Sequence, residues 1–159
     1  MDLRLAHLEL LLKREGLGAA ASYLNSRVPH RFTTIYRLDA DIFTPVEVVD
    51  KRAQVDTNTT SATPFNESLC RFPVLHGTFT TSHTATDPRL KGATYPGEVG
   101  SYTGVQVTRS NGELYGTLCH YDFAPTYISH IEYQFLQLAV HLISRHVDVF
   151  ANRSESILV

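Results

Sequence analysis

The chain has 159 residues, of which 43% are apolar, 19% charged and 10% aromatic. Such a length and composition predict one domain over 1–159 with a hydrophobic core, and they argue against wholesale disorder. The net charge of -2 gives no positive field that would attract a phosphate backbone, so we expect no nucleic-acid partner. No apolar stretch reaches the about 18 residues that a membrane helix needs, and the N-terminus lacks the cleavage site of a signal peptide. We therefore expect a cytoplasmic protein without membrane contact.

The first part of the chain predicts helix followed by two strands. A leucine-rich helical segment, 1–28, is interrupted by glycines near its middle. Phe32–Leu38 and Ile42–Val49 are rich in β-branched and aromatic residues, which predicts antiparallel strands with a turn at Asp39–Asp41 between them. The polar run Gln54–Thr63 then predicts a loop.

The middle of the chain predicts short helices around one strand. Thr63-Pro64 supplies a helix cap followed by proline, which predicts a short helix through Leu69 that Pro73 ends or bends. Thr78–Thr84 suits a strand, and Asp87-Pro88 repeats the cap-then-proline start for one helical turn.

A β-hairpin gives the clearest local signal. Ser101–Thr108 and Glu113–Phe123 are strand-like, and Asn111-Gly112 joins them. This dipeptide readily takes the positive φ angles of a type I′ turn. With this hairpin, all of the predicted strands fall within 30–124, so we expect this segment to form the sheet.

The last predicted element is a long helix over 129–150. Ser129-x-x-Glu132 is a capping box at its start, and its apolar residues form two stripes about 120° apart. The first stripe contains Ile131, Phe135, Leu138, Leu142 and Val149, and the second contains Leu136, Ala139, Val140, Ile143, Val147 and Phe150. Together they span about 200°, whereas a helix on one core surface needs about 100°. Either the N-terminal helix covers the remainder, or two copies of the chain form a homodimer through the terminal helices.

This element order predicts an α+β fold in which an antiparallel sheet is backed by the terminal helices. Within it lie the blocks F-N-E-S-L-C-R from Phe65, D-P-R-L from Asp87, G-S-Y-T-G-V from Gly100 and G-T-L-C from Gly116, followed by Asp122. In order and spacing these blocks resemble the GAF family, the small-molecule sensor domains of cyclic-nucleotide phosphodiesterases, phytochromes and many bacterial regulators. With the element order, the resemblance extends over nearly the whole chain.

The resemblance implies a sheet with the terminal helices on one face and a pocket on the other. Loops and short helices would enclose that pocket, which would draw on Phe65–His76, Thr78–Leu90 and the two hairpin strands. It further implies a non-catalytic sensory or regulatory module that binds an unidentified small molecule and signals through a dimer or a protein partner. An interaction module with no ligand is the other non-enzymatic alternative.

Polar side chains in these segments and on the first strand are the candidate ligand-binding residues. They are Tyr36, Cys70, His76, Thr81, His83, Ser101, Tyr102 and His120. The alternation of side chains along a strand leaves open which parity faces the pocket. Gly100, Gly104 and Gly116 are expected where a strand bulges or where another group approaches the backbone closely.

Cys70 and Cys119 are the chain's two cysteines, and two interpretations are open. Free cysteine is among the most buried residue types, which predicts small core residues. The alternative is a thiol-based reductase, because one GAF branch reduces free methionine sulfoxide with a cysteine nucleophile that further cysteines resolve. This chain has fewer cysteines than that branch, so we expect no catalytic residue.

The eight histidines show no metal-ligand spacing. Cys119 and His120 are adjacent on a strand and therefore point to opposite faces, so we expect no metal site. We also predict no cofactor and no covalent bilin. A haem held by one histidine, as in some GAF sensors, is left open at His76, His83 or His120.

Overall fold

A computed structural model describes residues 2–54 and 62–158, with side chains as far as Val147. Its helices are α1 (Leu3–Glu15), α2 (Leu17–Ser26), α3 (Arg71–His76) and α4 (His130–Leu158). Its strands are β1 (Phe32–Asp39), β2 (Ile42–Asp50), β3 (Thr63–Pro64), β4 (Thr78–Thr81), β5 (Ser101–Thr108) and β6 (Leu114–Asp122). Single 3-10 turns lie at Phe65–Glu67, Thr84–Thr86 and Pro88–Leu90.

The described strands form one antiparallel sheet in the order β3-β2-β1-β6-β5-β4. The sheet has the two N-terminal helices and the C-terminal helix on one face, so the predicted α+β architecture is confirmed. Within the described ranges, none of the helices has an apolar run long enough to cross a bilayer.

The terminal helices share a core with one face of the sheet. Its members include Leu8, Leu12, Leu24, Ile35, Val105, Leu118, Phe135, Leu136 and Ile143. Arg27 at the end of α2 donates two hydrogen bonds, of 2.7 and 3.0 Å, to the Glu132 carboxylate on α4. The predicted helix start is confirmed, because Ser129 Oγ accepts the Glu132 N–H at 3.2 Å.

The two predicted stripes of α4 differ in burial. The second stripe is buried as far as the structure describes it. In the first stripe, Phe135 and Leu142 lie in the core, whereas Ile131 and Leu138 are 64% and 47% exposed. Helix α1 therefore covers only part of the wide apolar arc. Beyond the described side chains lie the last residues of the two stripes, Val149 and Phe150.

The two hairpin loops differ in their turn geometry. In the β1–β2 turn, Ala40 and Asp41 have φ angles of 50° and 63°, the pattern of a type I′ turn. In the β5–β6 loop only Gly112 has a positive φ, 88°, and its N–H donates to the Arg109 carbonyl at 2.9 Å. That pattern fits a type I turn followed by a left-handed glycine. The hairpin prediction is confirmed, but the type I′ turn predicted for Asn111-Gly112 is wrong.

The helix predicted to start at Thr63 does not form. Thr63 and Pro64 instead pair with Phe43 and Ile42 as a short edge strand, and only one 3-10 turn follows. Proline tolerates this edge position because its missing N–H is not needed by a further strand. Pro73 does not end a helix either: it lies in the first turn of α3, where the N–H that it lacks has no intrahelical acceptor.

The remaining predictions for the middle of the chain are the end of a strand, a helix cap and a loop. The strand predicted over Thr78–Thr84 stops at Thr81, and a 3-10 turn begins three residues later. The Asp87 carboxylate accepts the Arg89 N–H at 3.0 Å, which confirms the predicted cap. The predicted loop Gln54–Thr63 lies outside the described residues except at its ends.

Candidate functional site

A cavity of about 240 Å³ lies on the face of the sheet opposite the terminal helices. Short helices and loops from 65 to 99 pack over this face around a second hydrophobic cluster. The polar and sulfur-bearing residues that line the cavity are Tyr36, Thr63, Ser68, Cys70, Glu98, Tyr102, Cys119 and Tyr121. The apolar lining residues are Phe32, Val48, Leu69, Pro96, Val99 and Phe123.

Strand alternation decides which side chains reach this cavity. On β6, Cys119 and Tyr121 line it, while Leu118 packs into the helix-side core. His120 is buried on the helix side, where its Nδ1 lies 2.6 Å from Thr33 Oγ1. The predicted opposite orientation of Cys119 and His120 is confirmed.

Cys70 lies at the start of α3, where its N–H donates to Ser68 Oγ at 3.0 Å. The Tyr102 hydroxyl donates to Cys70 Sγ at 3.2 Å. Burial raises the pKa of this thiol, but hydrogen bonds to its sulfur from Cys119 and Tyr102, among others, outweigh burial and lower the pKa to about 7. A thiol with this pKa is partly ionised at neutral pH. The ionised form, the thiolate, is the one that reacts as a nucleophile.

The pKa values of the neighbouring cysteine and tyrosines in the cavity shift in the opposite direction, upward. Burial and the adjacent Cys70 raise the pKa of the Cys119 thiol well above its usual range. Burial likewise raises the pKa of Tyr36, and it raises that of Tyr121 to about 12. At neutral pH the tyrosines are therefore uncharged hydrogen-bonding groups, and Cys70 is the cysteine that ionises.

The glycines singled out in the sequence lie where another group leaves no room for a side chain. A Cβ at Gly104 would lie 2.3 Å from the Tyr102 hydroxyl, and one at Gly100 would lie 2.3 Å from the Phe123 carbonyl oxygen. A Cβ at Gly116 would overlap the Tyr36 carbonyl oxygen. The predicted close approach is confirmed at all three positions, and at Gly104 it makes room for a residue that lines the cavity.

The structure brings together three of the predicted ligand-binding residues. Tyr36, Cys70 and Tyr102 all line the 240 Å³ cavity. Thr81 and His83 line a separate, more polar depression of about 420 Å³ beside the start of α4.

The other three predicted residues lie away from both spaces. His76 is exposed at the end of α3. Ser101 is fully buried, and its hydroxyl donates to the Ala124 carbonyl at 2.9 Å. His120 faces the terminal helices.

Sequence reasoning missed other residues that line the cavity. Tyr121 lies two positions after Cys119 on the same strand, so strand alternation would have indicated it once the cavity face was known. Val99 and Glu98 belong to an irregular segment between a 3-10 turn and β5, which has no periodic signal. Phe32 at the start of β1 and Phe123 just after the end of β6 contact each other, and both line the cavity at these neighbouring strand ends.

A cluster of buried polar residues lies on the helix side of the sheet. Asn25 on α2 donates to Thr33 Oγ1 at 2.9 Å, which continues the contact to His120. The His30 ring stacks on His120 with centroids 6.0 Å apart, is fully buried, and has no hydrogen-bond partner for either ring nitrogen among the described residues. Burial lowers the pKa of His30 to about 4 and that of His120 to about 3, so both rings are neutral at pH 7.

A haem would need a protein side chain as its axial ligand. None of the three histidines considered for that role lines the 240 Å³ cavity. In the part of the chain that the structure describes, no three histidine, cysteine or acidic residues come together as metal ligands.

The cavity on one sheet face and the terminal helices on the other define the class of fold: the chain has the GAF fold. It is similar to the GAF domain from Acinetobacter phosphoenolpyruvate-protein phosphotransferase, with a TM-score of 0.78 and 12% identity over 96% of this chain and 95% of that chain.

Two further solved structures show the same fold. The chromophore-binding domain of a bacteriophytochrome from R. palustris matches with a TM-score of 0.73 and 13% identity, over 96% of this chain and 61% of that chain. Free methionine-R-sulfoxide reductase from Neisseria meningitidis, solved with its substrate, matches with a TM-score of 0.72 and 14% identity, over 91% of this chain and 86% of that chain. No protein-family model and no curated protein matches the chain.

Proposed function

We propose that this chain is a regulatory GAF module whose small-molecule ligand occupies the 240 Å³ cavity. The observation that carries the proposal is the cavity itself, in which apolar walls surround a few convergent polar groups. Binding sites for small molecules have this composition, and their volumes begin at about 300 Å³ for drug-sized ligands. The smaller volume found here favours a compact metabolite.

We propose that strand β6 carries the binding signal across the sheet. Cys119 and Tyr121 line the cavity, while Leu118, the residue before Cys119, packs into the core that the sheet shares with the terminal helices. A ligand that prefers one arrangement of the cavity walls would therefore bias the packing of the helices behind them. A second protomer or a protein partner would read out that bias. We place the module in the cytoplasm, where its free thiols stay reduced.

The ligand site is tested by comparing how small fragments bind to the native protein and to a variant whose cavity is filled by a larger side chain. Val48 lines the cavity, whereas Val46 on the same strand is 38% exposed and does not line it. We expect small neutral fragments such as 2-phenylethanol to bind the native protein and Val46→Trp in ligand-observed NMR, and to lose binding in Val48→Trp. Equal binding to both variants would place the site elsewhere, and no fragment binding at all would favour a module without a ligand.

We propose a homodimer through α4 as the route of readout. Ile131 and Leu138 lie seven residues apart, two helical turns, and are both largely exposed, so they continue the buried apolar arc outward. Sedimentation velocity should show a dimer that Leu138→Glu converts to monomer. Leu75→Glu, which adds the same charge at an exposed leucine on α3, should leave the dimer intact. A native protein that is monomeric at high concentration would contradict this part of the proposal.

A thiol-based reductase is the second candidate, and one observation favours it. Cys70 and Cys119 line the same cavity and interact, and the pKa of Cys70 is lowered to about 7. In such a reaction the Cys70 thiolate would attack the sulfur of a sulfoxide, and the oxygen would pass to Cys70 as sulfenic acid while the thioether leaves. The Cys119 thiol would then displace water to form a disulfide, which an added dithiol reduces.

A reduction assay separates the two candidates. Purified protein would be incubated with free methionine sulfoxide and dithiothreitol, and methionine would be measured. The regulatory proposal predicts no turnover above that of the double variant Cys70→Ser/Cys119→Ser. Turnover that disappears in Cys70→Ser would establish the reductase instead.

A further inference from the structure

Among the residues that the structure describes, the cavity is lined by aromatic rings and by negatively charged rather than positively charged groups. Five aromatic residues contribute to it: Phe32, Tyr36, Tyr102, Tyr121 and Phe123. Glu98 is exposed, and among the described lining residues it is the one carboxylate; the partly ionised Cys70 thiol is a second source of negative charge. From this combination we propose that the site takes a small organic cation, an alkylated or quaternary ammonium, in preference to a carboxylate or a phosphate. This inference rests on the proposed function and specifies its ligand class.

Aromatic rings and a carboxylate both attract a cation. The face of an aromatic ring carries negative electrostatic potential, which attracts quaternary ammonium groups. Phe32 and Tyr121 stack on each other, with ring centres 4.8 Å apart. Glu98 adds a full negative charge at the solvent-exposed part of the lining. The tyrosine hydroxyls are uncharged at neutral pH, and burial raises the pKa of Tyr36, Tyr102 and Tyr121 still further above it. They can therefore bind a hydroxyl or ether of the ligand without opposing its charge.

One cation already lies against these rings from outside the cavity. The Arg31 guanidinium is 4.7 Å from the centre of the Phe32 ring and 5.5 Å from that of Phe123. Its charge is balanced, because two of its nitrogens donate to the Asp50 carboxylate at 2.8 and 3.1 Å. Arg31 is not a lining residue, so it presents no unbalanced positive charge to a ligand.

An anionic ligand would find no cationic side chain among the described residues of the lining. No lysine, arginine or histidine belongs to the described lining, and the segment 55–61, whose structure is not described, contains none in its sequence. Burial of a carboxylate or phosphate without a cationic partner is strongly unfavourable. The same argument applies to the carboxylate of a free amino acid.

Three ligands of nearly the same shape test the charge preference. Choline is a quaternary cation, and 3,3-dimethylbutan-1-ol is its uncharged carbon isostere. Glycine betaine keeps the trimethylammonium group and has a carboxylate in place of the hydroxymethyl group of choline. Their dissociation constants would be measured by isothermal titration calorimetry or NMR titration. We expect choline to bind about tenfold more tightly than the isostere, as a desolvated cation–aromatic contact implies, and betaine to bind more weakly than choline.

A pair of glutamate variants tests the role of Glu98. Glu98→Gln should weaken choline binding by about two- to fivefold, the effect of a partly exposed ion pair, and should leave the isostere unchanged. Glu113→Gln is the matched control, because Glu113 is exposed in the β5–β6 loop and does not line the cavity. Thermal unfolding of both variants would verify that the fold is intact.

The outcomes separate this inference from the proposed function. The inference is overturned if the isostere or betaine binds as tightly as choline, if neutral fragments bind and choline does not, or if Glu98→Gln leaves the preference unchanged. In each of these cases the cavity still binds small molecules. If neither these three ligands nor the neutral fragments bind, the proposed ligand-binding function itself fails.

Discussion

The Tyr102 hydroxyl donates a hydrogen bond to the Cys70 sulfur in the wall of the cavity, at 3.2 Å. The two residues belong to different parts of the fold, the central hairpin and the segment that covers it. Two residues after Tyr102 on β5, Gly104 leaves open the space that the tyrosine hydroxyl occupies. The acidity of the thiol therefore depends on a tyrosine hydroxyl whose position requires glycine at residue 104.

Removal of the Tyr102 hydroxyl should make Cys70 less acidic. The hydrogen bond stabilises the thiolate more than the thiol, so Tyr102→Phe should raise the pKa of Cys70 from about 7 toward its usual range. The rate of alkylation by iodoacetamide, followed by mass spectrometry from pH 6 to 9, measures this pKa in the native protein. Tyr115→Phe on the helix side of the sheet is the control. An unchanged pH profile in Tyr102→Phe would show that other groups hold the thiolate.

A methyl group at Gly104 should destabilise the fold through Tyr102. The added Cβ would lie 2.3 Å from the tyrosine hydroxyl, which must move within a packed cluster. We expect Gly104→Ala to lower the free energy of unfolding by about 1–3 kcal/mol, the usual cost of overpacking. Gly97→Ala is the control, since nothing lies within 4 Å of a Cβ there and its φ is not in the left-handed region. Urea unfolding measures both, and equal stabilities would contradict the proposed contact.

The pair Arg27–Glu132 should stabilise the contact between α2 and α4. Its two hydrogen bonds are largely shielded from solvent, with side chains 21% and 19% exposed. We expect Glu132→Gln to lower the free energy of unfolding by about 1 kcal/mol. Glu9→Gln breaks the exposed Lys13–Glu9 pair on α1 and should change it by less than about 0.5 kcal/mol. If Glu132→Gln lowers the free energy of unfolding no more than Glu9→Gln does, then shielding of the Arg27–Glu132 pair from solvent adds no stability.

The sequence predicted the architecture because caps, strands and close glycines leave local signals. Asp87 and Ser129 act as caps, and Gly100, Gly104 and Gly116 lie against other groups, as their types indicate. Such features depend on a few neighbouring residues, so they can be identified without knowledge of tertiary contacts.

The composition of the site was harder to predict, because it depends on strand parity and on an irregular segment. Parity decides that Tyr102 faces the cavity while Ser101 is buried behind the strand. A bulge between Ile35 and Tyr36 shifts the β1–β2 register beside the cavity, and no sequence pattern indicated it. Glu98 lies where no periodicity exists, so only the folded chain brings it to the lining.

The stability of the protein should fall in mild acid because of two buried histidines. Burial chiefly lowers the pKa of His30 to about 4 and that of His120 to about 3, against about 6.5 in the unfolded chain. Between these values the unfolded chain takes up protons that the folded protein does not. The free energy of unfolding should therefore decrease as the pH falls from about 6.5 toward 4, by up to about 1.4 kcal/mol per pH unit for each histidine.

His30→Leu should reduce that acid sensitivity. It removes a titrating group and also two buried ring nitrogens that have no hydrogen-bond partner among the described residues, so it should raise stability at pH 7 by about 1 kcal/mol. Urea unfolding at pH 7, 6, 5 and 4 measures both effects. His76→Leu, at an exposed position, should keep the native slope. If His30→Leu keeps the native slope as well, protonation of His30 does not drive the acid destabilisation, and His120 with its Thr33 contact becomes the group to test.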